Sequence, residues 1–190
     1  MRKKYKSFSG LKKISTKAAD LSQTWGRLLF NAHSLPANNI YSTFWYDYLI
    51  EMPFKHTIRG MYIQRRPNTT SYLLQLLSGS GAFIMLDLRH GKTKADWFFR
   101  EIETNEQFYI PAGCALGFLS YEDNTRFLLK SYNKLCDDLC VRIPLDDPTM
   151  GFEMPKELPN LDSWIISQKD RHGIMLSELM DEESEQYLWK

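Results

Sequence analysis

Short apolar segments separated by turn residues dominate the middle of the chain, between Arg59 and Tyr132. Each segment has four to eight residues, too few for a typical helix, and is rich in aromatic and branched side chains. Strands repeated at a spacing of about 8–12 residues are typical of an antiparallel sandwich or barrel. The segments are Ser71–Leu77, Ala82–Leu88, Asp96–Glu103, Gln107–Ile110, Ala115–Ser120 and Arg126–Tyr132. The middle of the chain therefore predicts an all-β fold.

The segment Ala82–Leu88 is apolar at nearly every position, whereas a half-buried strand alternates apolar and polar residues. Side chains point to opposite faces at successive positions of a strand, so both faces of this one are mostly apolar. We therefore expect other parts of the fold to cover it on both sides.

Length and charge narrow the class of protein. The chain has 190 residues, 43% of them hydrophobic, and we expect a single domain over residues 1–190 with its own core. A net charge of +1 favours neither nucleic acid nor a membrane as a partner. No apolar run approaches the ~18 residues of a membrane-spanning helix, and no apolar segment follows the basic N-terminus. The cytoplasm is the expected compartment.

The two ends of the chain carry opposite charge. Residues 1–17 contain seven Lys and Arg side chains and no acidic one, so we interpret residues 1–20 as a basic arm leading into a first strand. Residues 176–188 have apolar side chains at positions 176, 179, 180, 187 and 188, a spacing that predicts an amphipathic helix.

The cysteines and histidines do not form a metal-binding pattern. Cys136 and Cys140 lie four residues apart, with no histidine near them in sequence, and Cys114 is the third cysteine. A structural zinc site needs four such ligands, so we expect free thiols and no bound metal.

The segment Tyr41–Ile50 is dense in aromatic residues, which contribute large buried areas to cores and to subunit interfaces. A platform for stacking nucleic-acid bases would need interleaved basic residues, and this segment has none. We expect Tyr41–Tyr48 to be at least partly buried, in the core or at an interface.

Five motifs resemble, in order and spacing, those of the deoxythymidine-diphosphate-4-dehydrorhamnose 3,5-epimerases, a branch of the cupin jelly rolls. The resemblance covers roughly residues 20 to 180. The motifs are Arg59–Gln64 (RGMYIQ), similar to RGLHxQ; Tyr109–Phe118 (YIPAGCALGF), similar to WIPEGFAHGF; Phe127–Lys130 (FLLK), similar to FLYK; Asp146–Pro155 (DDPTMGFEMP), similar to DDPxLGIxWP; and Ile166–Asp170 (ISQKD), similar to LSxKD. The resemblance implies a jelly-roll sandwich, a homodimer that exchanges a strand, a nucleotide-sugar ligand, and neither metal nor cofactor.

The residues that carry the family's chemistry are replaced in this chain. That chemistry needs a base beside the C4 ketone, an acid on the opposite face and a cation near the ketone oxygen. The resemblance puts Tyr62 at the place of the base, Leu129 at that of the acid and Tyr72 at that of the cation. Leu116 stands for the second cupin histidine, and Trp25 for an arginine that contacts phosphate.

Three residues of the family pattern are kept, namely Arg59, Gln64 and Asp170. We expect the substrate site to be lined by Arg59, Gln64, Tyr72, Leu116 and Leu129. The expected catalytic residues are Tyr62 and Asp170. A phenol at position 62 has one proton to donate, and Asp170 is its expected acceptor. A neighbouring carboxylate disfavours tyrosinate, so we expect the pKa of Tyr62 to rise.

Neighbouring residues are poor substitutes for the missing acid and base. Tyr132 lies an odd number of positions from Leu129, which puts it on the other face of the strand. Ser131 shares the face of Leu129, but a lone hydroxyl is a weak acid. His56 lies six residues before Tyr62, and we expect His56 to be outside the strand.

Three classes of function remain open at this point. The chain is an isomerase with altered chemistry or substrate, a non-catalytic relative that binds a nucleotide-sugar or another small ligand, or a structural partner that has lost the pocket.

Overall fold

The computed structural model describes residues 10–14, 20–21, 26–27, 30, 32–89, 96–104 and 106–181. The strands within these residues are β1 (Lys12–Ile14), β2 (Asp20–Leu21), β3 (Gly26–Arg27), β4 (Tyr46–Met52), β5 (Thr57–Gln64), β6 (Tyr72–Ser78), β7 (Gly81–Asp87), β8 (Trp97–Ile102), β9 (Gln107–Ile110), β10 (Cys114–Ser120), β11 (Thr125–Ser131), β12 (Cys140–Arg142) and β13 (Ile165–Ile166). Within the same residues lie three short α-helices, α1 (Ser34–Ala37), α2 (Gln168–Arg171) and α3 (Leu176–Asp181), and two single-turn 3-10 helices, Asp137–Leu139 and Leu161–Ser163. The predicted all-β class is confirmed.

Two antiparallel sheets form the body of the fold. Strands β1, β9, β6, β11 and β4 follow one another in the first sheet, and β12, β5, β10, β7 and β8 in the second. The short β13 adds to the second sheet by pairing in parallel with β5. Each of the six apolar segments recognised in the sequence corresponds to one strand. Neighbouring strands satisfy the backbone N–H and C=O groups that these segments would otherwise leave unpaired.

The inward faces of both sheets enclose one apolar cluster, the interior of the barrel. Its aromatic rings meet across the sheets: the ring centroids of Phe118 on β10 and Phe127 on β11 are 5.4 Å apart, and those of Phe83 on β7 and Phe108 on β9 are 5.0 Å apart. Tyr72, Leu116 and Leu129 belong to the same cluster, and Tyr62 packs against it. The interior therefore contains residues of both the packing core and the predicted site.

Strand β7 is buried at all seven positions. Phe83 and Met85 point into the interior, while Ala82, Ile84 and Leu86 face a second cluster on the outer side of the sheet. Residues from the C-terminal third of the chain complete that second cluster, among them Val141, Ile143, Leu145, Met150, Trp164, Leu176 and Leu179. The prediction that this strand is covered on both sides is confirmed.

Strand β4 lies at the edge of the first sheet and is far more exposed. Phe44 and Tyr48 are half-buried, but 84% of Tyr41 and 69% of Trp45 are exposed in the single chain. Tyr41 and Trp45, which precede β4, are therefore not part of the core, and their burial at an interface stays a prediction. An edge strand has a neighbour on one side only, and these two side chains extend beyond the cover that the described residues provide.

The two ends of the chain are described in part. Strand β1 lies inside the predicted basic arm and pairs with β9 at the edge of the first sheet. Residues 1–9 and 15–19 are outside the described residues. The predicted C-terminal helix begins at Leu176 and is described as far as Asp181. Among the residues that the structure describes, no helix is both long and apolar enough to cross a membrane.

Candidate functional site

Tyr62 lies on β5, between the two strands that flank it in the second sheet. Its register partner is Leu116 on β10 and, on the other side, Arg142 on the edge strand β12. The Tyr62 ring packs against the interior cluster and is half-buried. The phenol therefore lies between the apolar residues of the interior and the side chain of Arg142. We call this solvent-facing end of the interior, beside Tyr62 and Arg142, the mouth of the barrel.

A bulge in β5 brings Arg59 to the same region as Tyr62. The two residues are three positions apart, yet they pair with Phe118 and Leu116, which both face the interior. The extra residue of a bulge changes the side to which the following residues point. Gly60 permits the bulge because its φ is +100° and because a Cβ there would lie 2.7 Å from the carbonyl oxygen of Leu116.

Asp170 meets Tyr62 although 108 positions separate them in sequence. The phenol of Tyr62 donates a hydrogen bond of 3.0 Å to Oδ2 of Asp170, which is almost fully buried. Asp170 belongs to α2, a helix that follows β13, and β13 pairs with β5. The Ser167 hydroxyl caps this helix by accepting the backbone N–H of Asp170 at 3.1 Å. The predicted hydrogen bond between phenol and carboxylate is confirmed.

The Tyr62 hydroxyl is held in its neutral form. Burial raises its pKa to about 12, and the negative charge of Asp170 and the hydrogen bond to it act in the same direction. Arg59 acts in the opposite direction and offsets part of the rise. The predicted direction of the pKa shift is confirmed, with burial as its largest cause. A phenol in this state is suited to donating a hydrogen bond.

Arg142 was not recognised from the sequence. Its Nε lies 3.8 Å from Oδ1 of Asp170, and its guanidinium carbon lies 5.9 Å from the centre of the Tyr62 ring. Two guanidinium groups, those of Arg59 and Arg142, therefore approach the same phenol. Nothing in the segment around residue 142 marks it as functional, since its importance comes from the pairing of β12 with β5.

The first sheet supplies the facing wall of the interior. Leu129 on β11 and Tyr72 on β6 are each 4% exposed, and Leu116 on the opposite sheet is 2% exposed. Burial raises the pKa of Tyr72, with smaller contributions from nearby Cys140 and Tyr48. Tyr72, Leu116 and Leu129, three of the residues predicted to line the site, thus lie in one closely packed apolar cluster, against which Tyr62 packs.

Tyr48 is a second residue that sequence reasoning missed. It lies on β4 as the register partner of Leu129, and it packs against the interior cluster. Its hydroxyl oxygen accepts the backbone N–H of Leu135 at 2.9 Å. A phenol is therefore present beside the place where the family resemblance expects one, but on the neighbouring strand. The alternation of side chains along Tyr46–Met52 was the available signal.

Gln64 joins the second sheet to the segment that connects β11 with β12. Its Oε1 accepts the backbone N–H of Cys136 at 3.0 Å and the side-chain amide of Asn68 at 3.4 Å. Consecutive backbone N–H groups, at Leu135 and Cys136, thus attach this segment to opposite sheets. Gln64 holds the rim of the site together, and its contact with substrate stays a prediction.

The three residues considered as substitutes for the missing acid or base are engaged in other contacts or exposed to solvent. The His56 ring packs at a tilt against Trp164 of the outer cluster, with ring centroids 5.3 Å apart. Ser131 is fully buried and donates to the carbonyl of Asn133 at 2.6 Å. Tyr132 follows the last residue of β11 and is 45% exposed.

Two further expectations concern metal ions and phosphate. In the described part of the chain, no group of three or more His, Cys, Asp or Glu side chains is arranged to hold a metal ion. Trp25, which the resemblance puts in place of a phosphate-contacting arginine, lies outside the described residues.

The site as described offers two cations, a neutral phenol and a buried carboxylate, an arrangement suited to binding anionic and hydrogen-bonding groups.

Comparison with known proteins supports the motif assignment. A family described as dTDP-4-dehydrorhamnose 3,5-epimerase matches residues 7–178 of this chain. The dTDP-4-dehydrorhamnose 3,5-epimerase of Methanothermobacter thermautotrophicus is 31% identical over 130 residues, which cover 67% of this chain and 69% of that protein.

Solved structures share the architecture. The dTDP-4-dehydrorhamnose 3,5-epimerase of Bacillus anthracis, with TDP and PPi bound, matches with a TM-score of 0.81 at 22% identity, over 90% of this chain and 97% of that one. The dTDP-6-deoxy-D-glucose-3,5-epimerase of Legionella pneumophila, in complex with dTDP-4-keto-L-rhamnose, matches with a TM-score of 0.79 at 22% identity, over 90% of each chain. The predicted jelly-roll fold of the cupin type is confirmed.

Proposed function

This chain belongs to the dTDP-4-dehydrorhamnose 3,5-epimerase family, and from that premise we propose that it binds a nucleotide-activated 4-keto-6-deoxysugar in an altered site. In this proposal, Tyr62 shapes the pocket or donates a hydrogen bond, which in the single chain goes to Asp170, and epimerisation at C3 and C5 is absent or very slow. The protein would take part in deoxysugar processing for a surface polysaccharide or a glycosylated metabolite, in the cytoplasm and as a homodimer.

The hydrogen bond between Tyr62 and Asp170 is the observation that carries the proposal. With a pKa of about 12, the phenol is ionised in only about one molecule in 10⁵ at pH 7. A general base works best when its pKa lies near the operating pH, so Tyr62 is poorly suited to removing protons beside the ketone. Its one proton is donated to Asp170, which holds the ring in place and leaves the phenol oxygen to accept a hydrogen bond from a ligand.

The facing wall supports the same conclusion. Leu129, at the place of the family's acid, has no proton to transfer, and Tyr72, at the place of its cation, carries no positive charge at neutral pH. An enolate forming in this pocket would therefore lack the cation and the acid at the positions where the family's reaction uses them. Arg59, which the family pattern keeps, remains available at the mouth to bind a diphosphate.

A second candidate is a structural partner without a ligand. The close packing of Tyr72, Leu116 and Leu129 favours it, as does the exposure of Leu49 on the edge strand β4 and of Trp45 directly before it. An exposed apolar patch on an edge strand is a typical protein-binding surface. In this alternative, the site residues would serve stability, and the homodimer or a partner protein would carry the function.

Calorimetric titration with thymidine diphosphate separates the two candidates. Loss of one charge-assisted contact, at Trp25, costs about 1.5–3 kcal/mol, so we expect binding on the order of tenfold to a hundredfold weaker than with an arginine there. Sub-micromolar binding would contradict this weak affinity. If no heat of binding is found at millimolar ligand, the structural partner becomes the better description.

Exchange of solvent deuterium into a nucleotide-linked 4-keto-6-deoxyglucose, followed by NMR, tests the altered chemistry. We expect no incorporation, or very slow incorporation, at C3 and C5. Incorporation at both carbons at ordinary enzyme rates, lost in Tyr62→Phe, would make Tyr62 the base and the proposal wrong. The double variant Tyr62→His with Leu129→Tyr returns the two groups that the family uses, and it is expected to exchange faster than the unchanged protein.

A further inference from the structure

Arg142 points from an edge strand into the mouth of the barrel. It is the register partner of Tyr62, and partners in register across two strands place their side chains on the same face of a sheet. Its side chain is 26% exposed, while that of its neighbour Asp170 is 3% exposed. The guanidinium thus lies at the boundary between the interior and the solvent, where a ligand entering the barrel would pass.

The hydrogen-bond donors of Arg142 are unused within the described residues. Its contacts with Asp170 and Asp137, at 3.8 and 3.9 Å, are ion pairs that are too long for hydrogen bonds. The Asp137 side chain is almost fully exposed, so solvent screens that pair strongly. A guanidinium has five N–H donors in a planar fork that matches the oxygens of phosphate or carboxylate groups.

The charges around Tyr62 favour an anion. Arg59 and Arg142 both approach the phenol, Asp170 is the one carboxylate in contact with it among the described residues, and the phenol itself is neutral. Two positive charges and one buried negative charge leave a local excess of one positive charge, since the second carboxylate near Arg142, that of Asp137, is exposed and strongly screened by solvent. Because the site is partly shielded from water, this excess acts on a ligand more strongly than it would on an open surface.

We propose that Arg142 and Arg59 form an anion-binding pair on either side of Tyr62, and that this pair binds anionic oxygens of the ligand. The oxygens belong either to the diphosphate or to a carboxylate on the sugar. The inference rests on the proposed function, because it takes the mouth of the barrel as the ligand site, and it adds a residue that the family resemblance does not supply.

Titration calorimetry of Arg142→Met tests the pair against four probes: thymidine diphosphate, inorganic pyrophosphate, dTDP-glucose and dTDP-glucuronic acid. We expect a loss of affinity on the order of tenfold for at least one anionic group, with partial recovery in Arg142→Lys. If the diphosphate is the partner, thymidine diphosphate and pyrophosphate both weaken. If the sugar carboxylate is the partner, only the preference for dTDP-glucuronic acid over dTDP-glucose is lost.

Arg126→Met is the matched control. Arg126 lies on β11, pairs with Glu51 at 3.1 Å on the outer side of the first sheet, and is exposed. This variant removes the same charge far from the mouth, so its affinities are expected to equal those of the unchanged protein. Equal losses in both arginine variants would mean that net charge alone is responsible, and would overturn the proposal.

Asp170→Asn distinguishes an anion site from a merely structural role of Arg142. If Arg142 binds an anion, removing the competing carboxylate charge increases anion affinity, opposite in sign to the effect of Arg142→Met. If Arg142 serves only to hold Asp170 in place, both variants weaken binding, and the proposal is wrong. Thermal unfolding of each variant confirms that the folded protein is being compared.

The outcomes also separate this inference from the proposed function. Pyrophosphate binding that depends on Arg142, without any preference for thymidine nucleotides, supports the anion pair and contradicts the proposed ligand. Affinities for thymidine diphosphate, dTDP-glucose and dTDP-glucuronic acid that are all unchanged in Arg142→Met support the proposed ligand and contradict the anion pair. Absence of binding to all four probes contradicts both.

Discussion

The barrel interior contains two regions built from similar rings with different consequences. We call Phe83, Phe98, Phe108, Phe118 and Phe127 the phenylalanine cluster, and Tyr48, Tyr62 and Tyr72 the tyrosine cluster; both pack in one continuous interior. Ring centroids in the first lie 5.0 to 5.8 Å apart, with no polar atom to satisfy. In the second, two of the three hydroxyls meet polar partners: Tyr62 donates to Asp170, and Tyr48 accepts from Leu135.

The difference shows how one core serves both stability and a site. A buried phenylalanine contributes its area and dispersion contacts, and any polar neighbour would be a cost. A buried tyrosine contributes nearly the same area but requires a hydrogen-bond partner, which ties the ring to one orientation. The phenylalanine cluster is therefore expected to determine stability, and the tyrosine cluster to determine what the mouth of the barrel can bind.

Replacement of Phe83 by alanine should have the largest effect. Phe83 is fully buried and contacts both Phe98 and Phe108, so its loss leaves a cavity and should cost about 3–5 kcal/mol. For a chain of this size, the melting temperature would fall by roughly 6–20 °C. Thermal unfolding followed by circular dichroism measures it, with the exposed Phe54→Ala as a control expected to change little. Equal stability of the two variants would remove the distinction between the clusters.

Tyr62→Phe should have an intermediate effect. The ring and its packing are kept, but Asp170 loses a hydrogen bond while it is nearly fully buried, at a cost of about 1–3 kcal/mol. Chemical denaturation at neutral pH measures the change. Tyr132→Phe removes a hydroxyl from a tyrosine that is 45% exposed, and it should be close to neutral. A result for Tyr62→Phe as small as for Tyr132→Phe would mean that the bond contributes little.

A further effect of Tyr62 is expected in the dependence of stability on alkaline pH. Folding raises the pKa of Tyr62 from 10.0 to about 12, so between these values the folded chain keeps a proton that the unfolded chain releases. The resulting contribution is fully present below pH 10 and is lost as the pH rises through 12. The free energy of unfolding should therefore fall less steeply over this range in Tyr62→Phe than in the unchanged protein. Parallel profiles of the two proteins would contradict the shift.

Sequence reasoning predicted the strands and part of the site. The alternation within short segments indicated every strand from β6 to β11, and the motifs brought Tyr62 and Asp170 together across 108 positions. It did not find Arg142 or Tyr48, since neither belongs to a motif. It also expected cover for Trp45, which the single chain leaves 69% exposed.

The amino-acid sequence by itself determined the local properties of this protein. Alternation along a strand depends only on neighbouring residues, so the two apolar faces of Ala82–Leu88 and the donor character of a phenol at position 62 could be deduced directly. The tertiary structure alone decided which strands became neighbours and in which register. The bulge at Gly60 turned Arg59 toward Tyr62, the pairing of β12 with β5 added Arg142, and the pairing of β4 with β11 set Tyr48 beside Leu129. These encounters join residues far apart in the chain, and their energies depend on contacts that no local pattern contains.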